Sequence, residues 1–238
     1  MTGTAHVTLR ALPLLFAVLA VAGCASGSGT LAPRPFKLGY LAKSDVDMVA
    51  DVHLRSSFNL LRQLAIKLYR RNPAEWRRSG APSLRARVDA LFTDPLSWTH
   101  LGLGGRRGTD AVLLTFDPAF GGDRVAAYVA GLSSMIYAAY GNRPEFFLLD
   151  ELEPQKLYNS ARNVEIAAWK LRTARRPDGT PWLLSTSLDE DDPNLSFERL
   201  FGKLIATQDL IARVVSEQSN RAIKGVVQQM AQAVFLPI

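Results

Sequence analysis

The chain is poor in the residues that carry redox and metal chemistry. Its 238 residues include one cysteine, three histidines and four methionines. The cysteine is Cys24, so the sequence beyond it can form no internal disulfide. Only His53 and His100 follow Cys24, and their separation fits no zinc-binding motif. We therefore expect a fold stabilised by packing alone, with no metal and no other cofactor.

Several catalytic motifs are also missing. The one approach to a nucleophile elbow, at Gly131–Met135, has methionine where the last glycine belongs. The sequence contains no Ser-x-x-Lys pair and no His-Glu-x-x-His motif. These absences lower the expectation of a familiar hydrolase, although they do not exclude an unfamiliar one.

The first 29 residues contain the most informative pattern. Arg10 precedes an apolar run over 11–22, which is shorter than the roughly 20 residues that span a bilayer. The run ends in Gly23 and Cys24, and five small residues follow over 25–29. A charged start, a short apolar core and small residues at a cleavage point are typical of an export signal.

With its Val-Ala-Gly-Cys sequence before and including Cys24, this segment resembles a bacterial lipoprotein signal with its lipobox. The resemblance implies that residues 1–23 are removed and that Cys24 carries the acyl chains that hold the protein on a membrane. Ala25 stands where an aspartate would favour retention in the inner membrane. This favours the periplasmic face of the outer membrane over the inner membrane. The alternative is an ordinary secretory signal with a chance cysteine.

The remaining sequence divides into a tether and one domain. Residues 24–36 are rich in Gly, Ser and Pro and predict a flexible tether after the lipidated cysteine. Residues 37–238 are long enough for one domain with a real core. The net charge of +6 is carried mainly by arginine. Behind an export signal, this charge points to an anionic envelope component or an envelope protein as partner and not to nucleic acid, although the charge alone is more simply explained by solvation. A solvated arginine-rich surface is the alternative.

Apolar residues at helical spacing predict an all-α fold of six to eight helices. Ser44 and Asp47 have capping-box spacing at the start of the first helix, which we expect to reach Arg71. Asn72 is expected to cap the next helix, with Pro73 in its first turn. Further helices are predicted at four places: 83–92, 154–175, from 196 to about 218, and 222–234.

One segment is apolar nearly all round. Residues 125–140 carry no charge, which predicts a buried central helix of an irregular multi-helix bundle. A membrane span is the sharper alternative, but the segment is short and contains several polar side chains. The alternative fold class is α+β, with a small sheet formed by the ambiguous apolar runs 110–116, 146–149 or 181–185.

Two further stretches suggest a relationship. The sequence KLYNSARNVEI at 156–166, preceded by FDPAF at 116–120, is similar to a set of uncharacterised proteobacterial lipoproteins. The resemblance would cover most of the domain. It implies no activity, so it assigns no role to any residue.

The loop over 98–108 is the candidate binding site. It contains Trp98, His100 and the adjacent pair Arg106 and Arg107 among several glycines. Loops on a rigid scaffold often carry binding residues, and Trp and Arg are frequent interface anchors. The glycine run 102–108 also suggests phosphate binding, but its spacing fits no phosphate-loop motif, which favours a simple connector.

Other polar residues are more simply explained by structure. His53 lies near an apolar helix stripe, which favours a hydrogen-bonded boundary histidine over a ligand. The acidic run 189–192 lacks the ligand spacing of a calcium loop and favours a solvated loop. Asp150, Glu151 and Glu153 precede Pro154, which favours a helix cap over an acid/base pair.

Two functions remain open at this point. The first is a membrane-anchored envelope lipoprotein that acts as a non-catalytic binding or assembly module. The second is an enzyme that acts on an envelope polymer or lipid through the loop around His100. A cleft that joins His100 to an acid and a nucleophile would favour the second function.

Overall fold

The structure, a computed structural model, describes residues 43–93, 98, 101–147, 150–189, 191, 193–220, 223 and 234–238. These residues form helices without any strand, which confirms the all-α fold. The helices in chain order are α1 (Asp45–Arg71), α2 (Pro73–Arg78), α3 (Leu84–Thr93), α4 (Gly108–Leu114), α5 (Arg124–Ala139), α6 (Pro154–Thr173) and α7 (Ser196–Ser219).

Several predictions concern residues outside the described part of the chain. They are the signal 1–23 with Cys24, the tether 24–36 and nearly all of the helix expected over 222–234. These remain predictions.

Helix α1 begins and ends where the sequence indicates. The Ser44 hydroxyl accepts a hydrogen bond from the Asp47 N–H at 3.2 Å, and the Asp47 carboxylate accepts one from the Ser44 N–H at 2.7 Å. This is the predicted capping box. The helix extends for 27 residues to Arg71, and its buried stripe includes Leu61 and Leu68. It therefore forms one long wall of the core.

Helix α5 is the centre of the fold. Fifteen of its 16 residues are buried, and it contacts α1, α2, α3, α4 and α6. This confirms the prediction of a buried helix over 125–140. Helix α7 packs against α6 and α1 and closes the core on another side. Within the described residues, no helix combines the length and the apolar character needed to cross a bilayer.

The ambiguous apolar runs do not form a sheet in the described residues. Most of 110–116 belongs to α4, and the 181–185 run forms only an isolated bridge between Arg175 and Pro181. Residues 148–149 lie outside the described part. The helical hydrogen bonds of α4 satisfy its backbone, its residues Ala111 and Val112 are fully buried, and Val112 lies against Gly131 of α5.

The expected cap at Asn72 is wrong. Asn72 precedes α2, but its side chain makes no cap hydrogen bond. Its amide oxygen accepts a hydrogen bond from the Leu184 N–H at 2.8 Å, and its amide nitrogen donates to the Leu184 and Leu68 carbonyls at 2.9 and 2.8 Å. A carboxamide presents a donor and an acceptor side by side, as a peptide group does. Asn72 therefore pairs with a passing backbone segment and leaves the helix uncapped.

Candidate functional site

The 98–108 loop is attached to the core by its apolar side chains. Trp98 is only 4% exposed, and its indole N–H donates to the Leu91 carbonyl at 3.2 Å. Leu101 and Leu103 are also buried. Gly102 between them and Gly104 and Gly105 after them adopt positive φ angles, which let the chain turn tightly around these anchors. The exposed residues Arg106 and Arg107 therefore follow closely on a segment, 101–103, whose leucines are anchored in the core.

Helix α5 fixes the end of this loop. The Ser134 hydroxyl accepts a hydrogen bond from the Gly108 N–H at 2.7 Å and donates to the Ala130 carbonyl at 2.7 Å. Arg107 is the residue that immediately precedes α4. Because Ser134 is a buried residue of the central helix, it places Arg107 at a set position beside the core.

Residues 234–238 approach from the other side. The Leu236 N–H donates to the Asn163 amide oxygen at 2.6 Å, and the Asn163 amide nitrogen donates back to the Leu236 carbonyl at 2.8 Å. One turn earlier on α6, Asn159 donates to the Pro237 carbonyl at 2.8 Å. Two asparagines of α6 thus hold this segment against the domain.

A cleft of about 620 Å³ opens where the loop, α5 and the 234–238 segment meet. This volume lies within the range of small-ligand sites. The described lining residues are Trp98, Arg107, Gly108, Thr109, Ser134, Met135, Tyr137, Ala138, Asn142, Leu236, Pro237 and Ile238. They combine an apolar floor with one arginine and include no carboxylate side chain.

The structure brings part of the predicted site together. Trp98 and Arg107 both line the cleft, whereas Arg106 is exposed on the adjoining turn and is not among the lining residues. His100 and Cys24 lie outside the described residues. The 236–238 wall was missed from the sequence, because nothing in its apolar composition indicates which helix it contacts.

The other polar candidates have structural roles. His53 is half-buried, and its Nδ1 lies 3.1 Å from the Thr207 carbonyl oxygen, as expected for a boundary histidine. Glu153 precedes α6 but makes no side-chain cap hydrogen bond, so the expected cap is only positional. Asp150 forms an ion pair with Arg143.

No group of three or more potential metal-ligand side chains occurs in the part of the chain that the structure describes. In the 189–192 run, Asp189 and Asp191 are exposed, while residues 190 and 192 lie outside the described part. The Asp189 carboxylate accepts a hydrogen bond from the Asp191 N–H at 3.1 Å. The arrangement fits the solvated loop that the sequence favours.

A buried ionic cluster joins four helices away from the cleft. Asp123 caps α5 by accepting from the Ala126 N–H at 2.9 Å, and it also accepts from the Tyr69 hydroxyl at 2.7 Å and from Arg87 Nε at 2.8 Å. Burial raises the pKa of Tyr69, and the Asp123 charge raises it further. Burial alone would lower the pKa of Arg87, but Tyr69 and Asp123 outweigh it and the pKa is raised. Glu75 extends the cluster to α2 by accepting from the Arg124 N–H at 2.7 Å. Nothing in residue spacing predicts this convergence.

Arg124 holds the FDPAF stretch at 116–120 through hydrogen bonds to its backbone. Its guanidinium donates to the carbonyls of Thr115, Asp117 and Phe120 at 2.6 to 2.9 Å. It also stacks over Trp182 at 4.4 Å. Burial lowers the pKa of Arg124, and nearby Arg176 lowers it further, while Glu75 opposes the shift. These hydrogen bonds hold the turn and the Trp182 contact ties it to a distant segment, so we assign Arg124 a structural role.

In comparisons with protein-family models, with curated proteins and with solved structures, nothing matches this chain. The resemblance to proteobacterial lipoproteins thus remains a prediction, and the chemistry of the cleft is the main indication of function.

Proposed function

We propose that this protein is a lipid-anchored envelope lipoprotein that binds a partner without catalysis. In this proposal Cys24 carries the anchor, residues 24–36 are the tether, and the domain lies on the periplasmic face of the outer membrane. The partner is an envelope protein or an anionic envelope component. The observation that carries the binding role is the cleft that Trp98 and Arg107 share with the 236–238 segment.

The composition of the cleft supports binding. Trp, Tyr, Met and Arg are the residues enriched at interface cores, and Trp98, Tyr137, Met135 and Arg107 all line this cleft. The neighbouring pocket walls belong to α5, which is buried along its length. A rigid wall lowers the ordering cost of binding, because fewer groups lose freedom when the partner docks.

The charge of the cleft favours an anionic or acidic group. Arg107 lines it, and Arg106 is exposed on the same turn. A guanidinium binds carboxylate or phosphate through two parallel hydrogen bonds. The overall charge of +6 adds a longer-range attraction for the same partners.

The enzymatic alternative has no specific support among the described residues. Ser134 is the serine of the cleft, and its hydroxyl already bonds the Gly108 N–H and the Ala130 carbonyl. A nucleophilic serine needs a base within hydrogen-bond reach, and the described lining includes no histidine, aspartate or glutamate side chain. His100, on which the alternative depends, lies outside the described residues.

Two variants of the full chain test the two parts of this proposal in intact cells. Cys24→Ser should abolish lipid labelling and leave uncleaved precursor; normal processing and membrane retention would contradict the anchor. Arg106→Ala with Arg107→Ala should leave thermal stability nearly unchanged, since exposed charges contribute little. The same double variant should weaken crosslinking to the wild-type partner.

A matched control removes the same charge elsewhere. Arg199 and Arg213 are exposed on α7, and neither lines the cleft. Arg199→Ala with Arg213→Ala should retain the crosslinked partner. If both double variants retain it, the loop is a connector and the binding role of the cleft is wrong.

A further inference from the structure

The contact between α6 and residues 234–238 is made to backbone atoms. Asn163 binds both the N–H and the carbonyl of Leu236, and Asn159 binds the carbonyl of Pro237. The two asparagines lie four residues apart, so they stack on one face of the helix. Leu236 contacts Asn163 and Pro237 contacts Asn159, so the segment runs opposite to α6. Residues 234–238 form neither helix nor strand, which leaves their backbone groups available to these side chains.

These asparagines are built into the core. Asn163 is 0% exposed and Asn159 is 7% exposed. A buried amide without a partner is costly, because it has lost its hydrogen bonds to water. Gln155 fixes the orientation of Asn159 by donating to its amide oxygen at 2.9 Å. The two amide groups therefore need backbone hydrogen-bond partners. Any peptide segment that offers the same N–H and carbonyl groups can supply them.

The pattern of groups that the face requires is specific. It takes one N–H and one carbonyl from the first residue and one carbonyl from the second. It takes no N–H at the second position, so proline is accepted there. Phe235 and Ile238 pack against the core on either side. Backbone hydrogen bonds combined with flanking apolar contacts are the usual chemistry of extended-peptide recognition.

We propose that the Asn159–Asn163 face of α6 is a peptide-binding site whose occupant in this structure is the chain's own 235–238 segment. The partner is an envelope protein that presents an extended apolar peptide and replaces this segment. The inference rests on the proposed binding function and specifies its partner as a polypeptide. Because Leu236, Pro237 and Ile238 form one wall of the cleft, replacing them also changes the surface beside Arg107.

The chain's own segment competes with the partner. A segment tethered to its own site has a high effective concentration, which lowers the apparent affinity for a free peptide. Weakening the internal segment while keeping both asparagines should therefore uncover the site. Leu236→Pro does this, since it removes the N–H that Asn163 accepts.

The test uses the purified full-length protein and a fluorescent peptide of residues 234–238, blocked at both ends. Fluorescence anisotropy should show the peptide binding at least about tenfold more tightly to Leu236→Pro than to wild type, since the internal competitor is weakened. Adding Asn163→Ala to that variant should weaken binding by at least about tenfold, because two hydrogen bonds from a buried amide are lost. Asn72→Ala removes an asparagine that binds a different backbone segment and should leave peptide binding unchanged.

A second variant covers loss of folding. If circular dichroism shows that Leu236→Pro is unfolded, Ile238→Ala weakens the segment through its apolar contact alone and takes its place. Equal peptide affinity of wild type and the folded variant would overturn the proposal. An affinity that does not change when Asn163→Ala is added would also overturn it. Concentration-dependent dimerisation without peptide binding would also overturn it, by assigning the face to a second copy of the chain.

The two proposals fail separately. If the peptide does not bind while the Arg106 and Arg107 variants still weaken crosslinking, only the peptide site is wrong. If the peptide binds as described while the cleft shows no partner in cells, the proposed function is wrong and the peptide site remains.

Discussion

Gly131 of α5 lies so close to Val112 of α4 that a Cβ atom added to the glycine would be 2.6 Å from the valine backbone nitrogen. The same atom would be 2.8 Å from the carbonyl oxygen of Gly108. Both neighbours are backbone atoms, so they cannot rotate away as a side chain would. Helix α4, which follows Arg107 directly, therefore packs against α5 at this glycine.

Gly131→Ala should therefore destabilise the protein even though alanine is the better helix former. We expect a loss of about 1–3 kcal/mol from overpacking, and a larger loss for Gly131→Leu. Gly202 of α7 is the matched control, because a Cβ there meets nothing within 4 Å. Gly202→Ala should stabilise by up to about 1 kcal/mol. Chemical denaturation measures both, and a neutral Gly131→Ala would contradict the close approach.

The buried ion pair of Asp123 and Arg87 should contribute far more to the stability of the fold than an exposed ion pair. Asp123→Ala removes the α5 cap and leaves Arg87, whose side chain is 9% exposed, without its carboxylate. A loss of about 3–5 kcal/mol is expected for breaking a buried pair. Arg62 and Asp89 form a half-exposed ion pair. Asp89→Ala should lower the free energy of unfolding by less than about 1 kcal/mol. Similar losses for the two variants in urea unfolding would show that the cluster is not a structural centre.

The buried tyrosines should make the fold sensitive to alkali. Burial raises the pKa of Tyr69, Tyr128 and Tyr140 above their ordinary value of 10.0. Above pH 10 the unfolded chain loses these protons while the folded chain keeps them, so stability falls as pH rises. Below pH 10 both states are protonated and the contribution is fully present. Above pH 10, each of these tyrosines should lower the free energy of unfolding by up to about 1.4 kcal/mol per pH unit.

Thermal unfolding between pH 8 and pH 12 measures this effect, with tyrosinate absorbance as a second readout. The melting temperature should stay nearly level to pH 10 and then fall, and tyrosinate absorbance should rise together with unfolding. Early ionisation of all the tyrosines in the folded protein would contradict their burial.

Local rules predicted much of the fold. The capping box at Ser44 and the uncharged run around Gly131 are short-range signals, and both are confirmed. Asn72 was wrongly expected to cap α2 because its actual partner, Leu184, lies far along the chain. The run over 110–116 could not be assigned from its length, since a short apolar run suits a strand and a buried helix equally well.

The candidate site was predicted only in part for the same reason. Trp98 and Arg107 stand out as loop residues of interface type, and both line the cleft. The contacts of Asn163 with Leu236 join positions that no periodicity relates, so they required the structure. The burial of Trp98 also gives it a packing role in the core.

The central claim is that a partner binds in the cleft while the protein is anchored in the envelope. Photocrosslinking in intact cells tests it most directly, with a benzophenone amino acid at Thr109, which lines the cleft, and at Ala206, which is exposed on α7. We predict that Thr109 yields an adduct with an envelope component identified by mass spectrometry. The adduct should be lost with Arg106→Ala and Arg107→Ala and should be absent from Ala206. No adduct from Thr109, or the same adduct from both positions, would contradict the account.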